Sequence, residues 1–203
     1  MLHFDSHLDS WDPKQLNGGL TKYSEVTHGT MFHILAEEAL LSKDKNMHLG
    51  SRSMLFDQHY DLQHDANCGF SYIRAREIDD IGVDNVVQRI VDKVGDEYVY
   101  LSIDIDSLDP GKLSIRCWGI AIYLTCSSAF APATGTIEPG GWTTRELLKI
   151  LTGLSKAGVK IVGADVVEFT PVYDNSAETS AIVVTQIVYE ILQWMVRVPV
   201  MKT

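Results

Sequence analysis

The chain opens on Leu2-His3-Phe4-Asp5-Ser6-His7-Leu8-Asp9-Ser10, in which Asp5, His7 and Asp9 take alternate positions behind an apolar start. On a strand running into a loop, alternate side chains leave on one face, about 7 Å apart for each i, i+2 step. These three therefore read as a ridge of metal-ligand types, with His3 read as pointing to the face opposite Asp5 and His7. A second ridge of the same design closes the apolar run Tyr98-Val99-Tyr100-Leu101-Ser102-Ile103-Asp104-Ile105-Asp106, with Asp104 and Asp106 again in i, i+2 register. Carboxylates at the end of a buried strand repel one another unless a cation lies between them. Four carboxylates and one imidazole form an oxygen-rich donor set, which suits Mn²⁺ or Mg²⁺ better than structural Zn²⁺ with its preference for Cys and His. Two ions sharing such ligands can hold a hydroxide at neutral pH, and hydrolysis is the chemistry that follows.

These ridges need elements to carry them. Trp11 to Thr27 reads as a long loop behind the first strand, and His28-Gly29-Thr30 opens a helix over Phe32 to Leu40. His28 stands at that helix entrance close to the ligand loop, which makes it a candidate catalytic residue. Met47 to Arg52 reads as a short strand, Phe56 to Gly69 as a solvated connection in spite of three Asp and two His, and Tyr72 to Ile78 as another strand. Val83, Val86, Val87, Ile90, Val91 and Val94 have the spacing of an amphipathic helix that leads into the Asp104 strand. Beyond it, Gly111 to Ser128 is apolar, has no acidic residue and is too short to span a membrane. Ala129 to Gly141 is a loop rich in Pro and Gly, followed by a helix over Thr143 to Gly153 with Thr143 or Thr144 as N-cap. Val159 to Glu168 reads as a buried parallel strand with an acid at its end, Pro171 to Thr179 as a loop, and Ser180 to Val196 as a long apolar helix. Alternating strands and helices predict an α/β fold with a mainly parallel sheet.

At 203 residues, 45% of them hydrophobic, the chain is the size of one domain with a real core. Its net charge of −10 argues against a nucleic-acid partner and favours a cationic substrate. Three cysteines without CxxC spacing (Cys68, Cys117, Cys126) predict a reducing compartment and no disulfide framework. The cytoplasm is the expected location, with mitochondria as the alternative should a leader precede this sequence. The site strand begins at residue 2, so an N-terminal portion of the protein, with further strands, is expected to precede it.

HFDSHLDS, HGTMF, SIDIDSLDP, AFAPATGTIEPGG and DVVEFTPVYD, in this order, resemble the arginase/agmatinase (ureohydrolase) family, and its agmatinase branch most closely through HGTMF and EFTPVYD. The resemblance implies a three-layer αβα fold, a binuclear Mn²⁺ centre, attack of a metal-bridging hydroxide on a guanidinium carbon, and release of urea and an amine. It implies that Asp5 and Asp104 bridge the ions, that His7 and Asp106 complete one and that Asp9 serves the other. His28 matches the family's proton-shuttling histidine, and Glu168 its guanidinium-binding carboxylate. A small cationic guanidino substrate follows, agmatine first and a guanidino acid of the 4-guanidinobutyrate type second, together with a trimeric or hexameric homo-oligomer and no membrane partner. Two departures are evident. The family's further histidine ligand, in an upstream Gly-Gly-Asp-His segment, has no counterpart here, and Gly111 to Ser128 stands as an 18-residue insertion of the kind a translated intron would leave. A catalytically dead fragment acting as a regulatory partner is the reading these departures keep open.

Overall fold

The computed structural model describes residues 1–16, 26–111 and 131–200. Five parallel strands form one sheet in the order β3-β2-β1-β4-β5: β1 (Leu2–Phe4), β2 (Asn46–Ser51), β3 (Phe70–Arg74), β4 (Tyr98–Asp104) and β5 (Lys160–Val167). The strand that leads into the first acidic ridge is thus the middle of the sheet, paired with β2 on one side and β4 on the other.

Strand alternation sends successive residues to opposite faces, and the two faces differ in chemistry. Leu2, Phe4, Met47, Leu49, Val99, Leu101 and Ile103 join the main apolar core with three helices, α4 (Glu77–Val94), α5 (Thr144–Lys156) and α6 (Thr179–Arg197). On the other face His3 meets Phe32 of α2 (Met31–Glu37), and His48 stacks on Phe70 and reaches Asp65 of α3 (Gln58–Asn67). Helices on both faces of a parallel sheet give the α/β class that the alternation predicts and the three-layer αβα arrangement that the resemblance implies. A single turn, α1 (Pro13–Leu16), lies within the loop behind β1.

Local sequence accounts for most boundaries. Thr143 caps α5 by accepting from Glu146 N–H while the Glu146 carboxylate accepts from Thr143 N–H. Gly82 (φ 77°) breaks α4, so the periodic stretch from Val83 to Val94 is its second and longer piece. Trp142, fully buried, sets its ring edge against Phe4 and donates its indole N–H to Ala75 O at 2.8 Å, which ties the Pro/Gly-rich loop to the end of β3. β3 stops at Arg74, and Glu77 and Ile78, expected in a strand, start α4 instead, because three acids in its first turn favour a helix N-terminus.

One expectation was wrong. Phe56 to Gly69 is no solvated connection: Asp57 caps α3 through the N–H groups of His59 and Tyr60, and Asp61 and Asp65 are buried beneath it. The helix has almost no apolar periodicity because its inner face is polar, and periodicity reads apolar faces only. α6 is long and apolar enough to cross a membrane by length and composition, yet Val183, Ile187, Ile191 and Trp194 join the core while Ile182, Leu192 and Val196 stand exposed.

The Gly111 to Ser128 stretch falls mostly outside the described residues, but its flanks are informative. Ala131 N–H donates to Asp109 O at 3.2 Å. With Gly111 to Ser128 removed, Ala131 would be the fourth residue after Asp109, and a bond from residue i+4 to residue i is an ordinary α-turn. The deletion variant is therefore expected to fold with a thermal midpoint within a few degrees of the full chain. Scanning calorimetry checks this, and loss of a cooperative transition in the deletion variant would contradict it.

Candidate metal centre

β1, β4 and β5 end abreast at one edge of the sheet. Phe4 pairs with Ile103 and Asp104 with Val167, so Asp5 and Asp104 come side by side and Glu168 follows one residue beyond. A parallel sheet with this register necessarily gathers the three strand-end acids.

Past Phe4 the strand gives way to a turn. His7 N–H donates to Asp5 Oδ1 at 2.5 Å, and Asp9 adopts a left-handed backbone (φ 52°). The turn, rather than strand alternation, brings the ridge together. It sets His7 Nδ1 3.1 Å from Asp5 Oδ1 and 3.0 Å from Asp106 Oδ2. On the other strand, Asp104 accepts from Asp106 N–H at 2.8 Å and so caps a 3₁₀ turn over Ile105–Ser107, which swings Asp106 back over the site. Asp106 also accepts from Ser6 N–H at 3.0 Å and from the Thr136 hydroxyl at 2.9 Å.

His3 corrects the expectation set for it. It lies two residues before Asp5 and therefore on the same face, and its Nε2 is 3.0 Å from Asp5 Oδ2. The alternation that aligns Asp5 with its successors should have placed His3 beside it too. His3 belongs to a buried chain: its Nδ1 is 2.9 Å from His48 Nδ1, His48 Nε2 is 2.9 Å from Asp65 Oδ1, and the Ser10 hydroxyl donates to the same Asp65 oxygen. Asp5, His3, His48 and Asp65 thus make three successive hydrogen bonds. With carboxylates accepting at both ends, these need three N–H groups, whereas two neutral imidazoles supply two. A third proton is therefore shared among the four groups, and the two imidazoles differ: burial works against the imidazolium, but Asp5 outweighs it and raises His3, whereas burial lowers His48.

The carboxylates of the centre crowd one another, and their titration is shifted accordingly. Burial, and then the charges of Asp5 and Asp106, push Asp104 up to about 10. Burial and Asp5 likewise push Asp9 up to about 7. Asp5 goes the other way: burial opposes its ionisation, but His3 and His7 hold it well below the usual carboxylate range. Against burial, hydrogen bonds to Asp106 and Asp5 raise His7 to about 11. The groups fit a metal by donor chemistry, since Asp5, His7 and Asp106 form one cluster of ligand atoms and His3, Asp5 and Asp9 another. Hard oxygen donors with few imidazoles suit divalent Mn or Mg.

His28 and Glu168 stand further out and are exposed. His28 begins the 3₁₀ turn that precedes α2, and that turn is tied to the ligand loop because Phe32 N–H donates to Asp9 O and Trp11 N–H to Gly29 O, both at 3.0 Å. Glu168 also has a left-handed backbone (φ 58°), and its charge is felt by Asp104. Two non-glycine residues in this rare conformation at one edge of the sheet are the pattern of a functional site.

Arg52 is the residue sequence reasoning missed. Its guanidinium donates to Asp106 O at 2.6 Å and to Glu138 O at 2.5 Å, and further to Gly50 O and Pro139 O. One cation thereby ties the end of β2, the Asp106 turn and the Pro/Gly-rich loop together. Gly141 permits this packing, because a Cβ there would lie 2.6 Å from Asp109 N and 2.7 Å from the Arg52 guanidinium. Nothing in the pattern around Arg52 marks it, since its partners are backbone carbonyls distant in sequence.

The Arginase family model matches residues 1–113 and 125–193. The chain belongs to the arginase family. A Schizosaccharomyces pombe protein with the provisional name agmatinase 1 is 48% identical over 202 residues, covering all of this chain and 46% of the relative. The agmatinase of Proteus mirabilis is 37% identical over 180 residues, 89% of this chain and 46% of its own. The solved structure of proclavaminate amidino hydrolase from Streptomyces clavuligerus superposes with a TM-score of 0.74 at 31% identity, covering 97% of this chain and 55% of that one. The chain therefore spans about half the length of the arginase-family proteins it matches.

The buried chain from Asp5 to Asp65 yields a direct test. Asp65→Leu removes the acceptor of both His48 and Ser10 inside the protein and is expected to cost about 3–5 kcal/mol in unfolding free energy, with Asp65→Asn costing less because it keeps an acceptor. Urea denaturation measures both, and a neutral Asp65→Leu would show that the network carries no stability.

Proposed function

We propose that this protein hydrolyses a small cationic guanidino compound, agmatine before others, to urea and an amine, with Mn²⁺ as the resident metal. One observation carries the reading: in a chain of the arginase family, the buried carboxylates Asp5, Asp104 and Asp106 meet where adjacent strands end, with His7 set between Asp5 and Asp106. Two of the relatives named above bear the name agmatinase, which supports agmatine as the substrate.

Asp5, His7, Asp9, Asp104 and Asp106 are the residues that would hold the metal. When bound, divalent ions supply the Lewis acidity that makes water a nucleophile at neutral pH. The other roles belong to the chain's own groups. Glu168, one residue past the end of β5 and beside the cluster, offers a carboxylate fork that matches a planar guanidinium. His28, on the turn tied to the Asp9 loop, supplies the proton that the departing amine requires. The chain's negative charge draws a cationic substrate toward this edge.

Urea release from agmatine, measured on the full chain with excess Mn²⁺, tests the proposal. Asp104→Asn is expected to abolish both metal binding and urea release. Glu168→Ala is expected to retain metal and lose on the order of 10- to 100-fold in kcat/KM, the worth of one charge-assisted contact. His28→Ala should retain metal and lower kcat by about 100-fold or more. Equal metal loss in all three variants would refute the separate roles, and urea release that survives Asp104→Asn would refute the centre itself.

A further inference from the structure

A second cluster of ligand-type side chains lies apart from the acidic centre, between α2 and the end of α3. His33 Nδ1 is 3.0 Å from His64 Nε2, and Cys68 Sγ is 3.9 Å from the same His64 nitrogen. All three ligand atoms lie within 4.8 Å of one another, with Cys68 buried and both histidines half-buried. Tetrahedral Zn²⁺, with bonds of about 2.0–2.1 Å to nitrogen and 2.3 Å to sulfur, sets its ligands about 3.3 Å (N to N) and 3.6 Å (N to S) apart. The His33–His64 and His64–Cys68 separations are within a few tenths of an ångström of those values, and the third pair lies within 4.8 Å. Its donors are two imidazoles and a thiol, the set zinc prefers and Mn²⁺ does not.

The surroundings fit the same purpose. Glu37, one turn beyond His33 on α2, sets a carboxylate oxygen 3.4 Å from His33 Nε2. A ligating histidine ordinarily gives its second ring N–H to such a carboxylate, which leaves the other nitrogen for the metal. His64 is held between the rings of Tyr60, parallel to it, and His33. Cys68 follows α3 as its C-cap and packs with Phe32 and Phe70 in a small apolar cluster, so the sulfur is fixed at the inner wall while the histidines face outward.

We propose that His33, His64 and Cys68 bind one zinc-class cation, with the fourth position open to water and Glu37 orienting His33. The cation joins α2 to α3. α2 follows the turn that carries His28 and donates to the Asp9 loop, so the clamp also steadies the outer wall of the acidic centre. The site stands whether or not the chain hydrolyses guanidines, because none of its ligands belongs to the acidic centre.

Cobalt substitution separates the two sites. Co²⁺ added in excess to the metal-free full chain is expected to produce thiolate-to-cobalt charge-transfer absorption in the near ultraviolet, with the amplitude of one thiolate-bound cobalt per chain, bleached by Zn²⁺. The acidic centre, having no sulfur, contributes nothing to that band. Cys68→Ser and His64→Gln are each expected to remove the band, with the far-ultraviolet circular dichroism of the full chain as the check on folding. Glu37→Gln, an exposed change that leaves the fold in place, should weaken Zn²⁺ binding about 10- to 100-fold in competition with a chromophoric chelator. Absence of the band in the full chain overturns the proposal. So does a band that survives Cys68→Ser, which would trace the sulfur to Cys117 or Cys126, or Zn²⁺ affinity unchanged in both His64→Gln and Glu37→Gln.

Discussion

Mutual repulsion among buried carboxylates governs this structure. Asp5, Asp104 and Asp106 are all nearly inaccessible to solvent and gather where two central strands end. Like charges at such separations in a poorly polarisable interior cannot all remain ionised without compensation. The fold answers in two ways: burial and the charges of Asp5 and Asp106 shift Asp104 toward its neutral form, and the imidazoles of His3 and His7 surround Asp5. A divalent cation would relieve the same repulsion, which is the physical basis of the metal role proposed for the cluster.

The rest of the fold keeps that cluster from relaxing. Asp104 and Asp5 are held by adjacent strands, so separating them would break the sheet at its middle. Arg52 ties the Asp106 turn to the Pro/Gly-rich loop through backbone carbonyls, and Thr136 from that loop reaches the Asp106 carboxylate. Behind Asp5, the line through His3 and His48 to Asp65 anchors the centre to α3. An oxygen-rich site needs such backing because its ligands repel one another until the ion arrives.

Much of this was legible in the residues themselves. The apolar run of β4, the periodic half of α4 and the capped α5 follow period and cap chemistry, and the structure has them within a few residues of expectation; β5 has its expected bounds but, as the edge strand, buries only Ile161 rather than its whole length. The paired acidic ridges were legible because alternation at a strand end is a local signal. Three features were not. α3 escaped because its buried face is Asp61 and Asp65, polar groups whose burial depends on partners from other elements. Arg52 escaped because it recognises carbonyls, which every residue has. His3 was misread through parity alone: two residues before Asp5 is the same face, and that signal was present. The convergence of His7 and Asp9 required a turn that a purely extended reading does not contain.

The central claim, that the cluster is strained by charge until a cation neutralises it, is tested most directly by the stability of the metal-stripped chain with and without Asp104. A carboxyl raised to about 10 in the folded state binds its proton more tightly there than in the unfolded chain. It therefore subtracts stability progressively as pH climbs from about 4 toward 10. Asn in its place caps the Ile105–Ser107 turn equally well and has no proton to lose. At neutral pH with chelator, Asp104→Asn is predicted to melt above the unsubstituted chain, whereas added Mn²⁺ raises only the unsubstituted chain and reverses the order. An Asp104→Asn variant that melts lower than the unsubstituted chain in chelator would contradict the account.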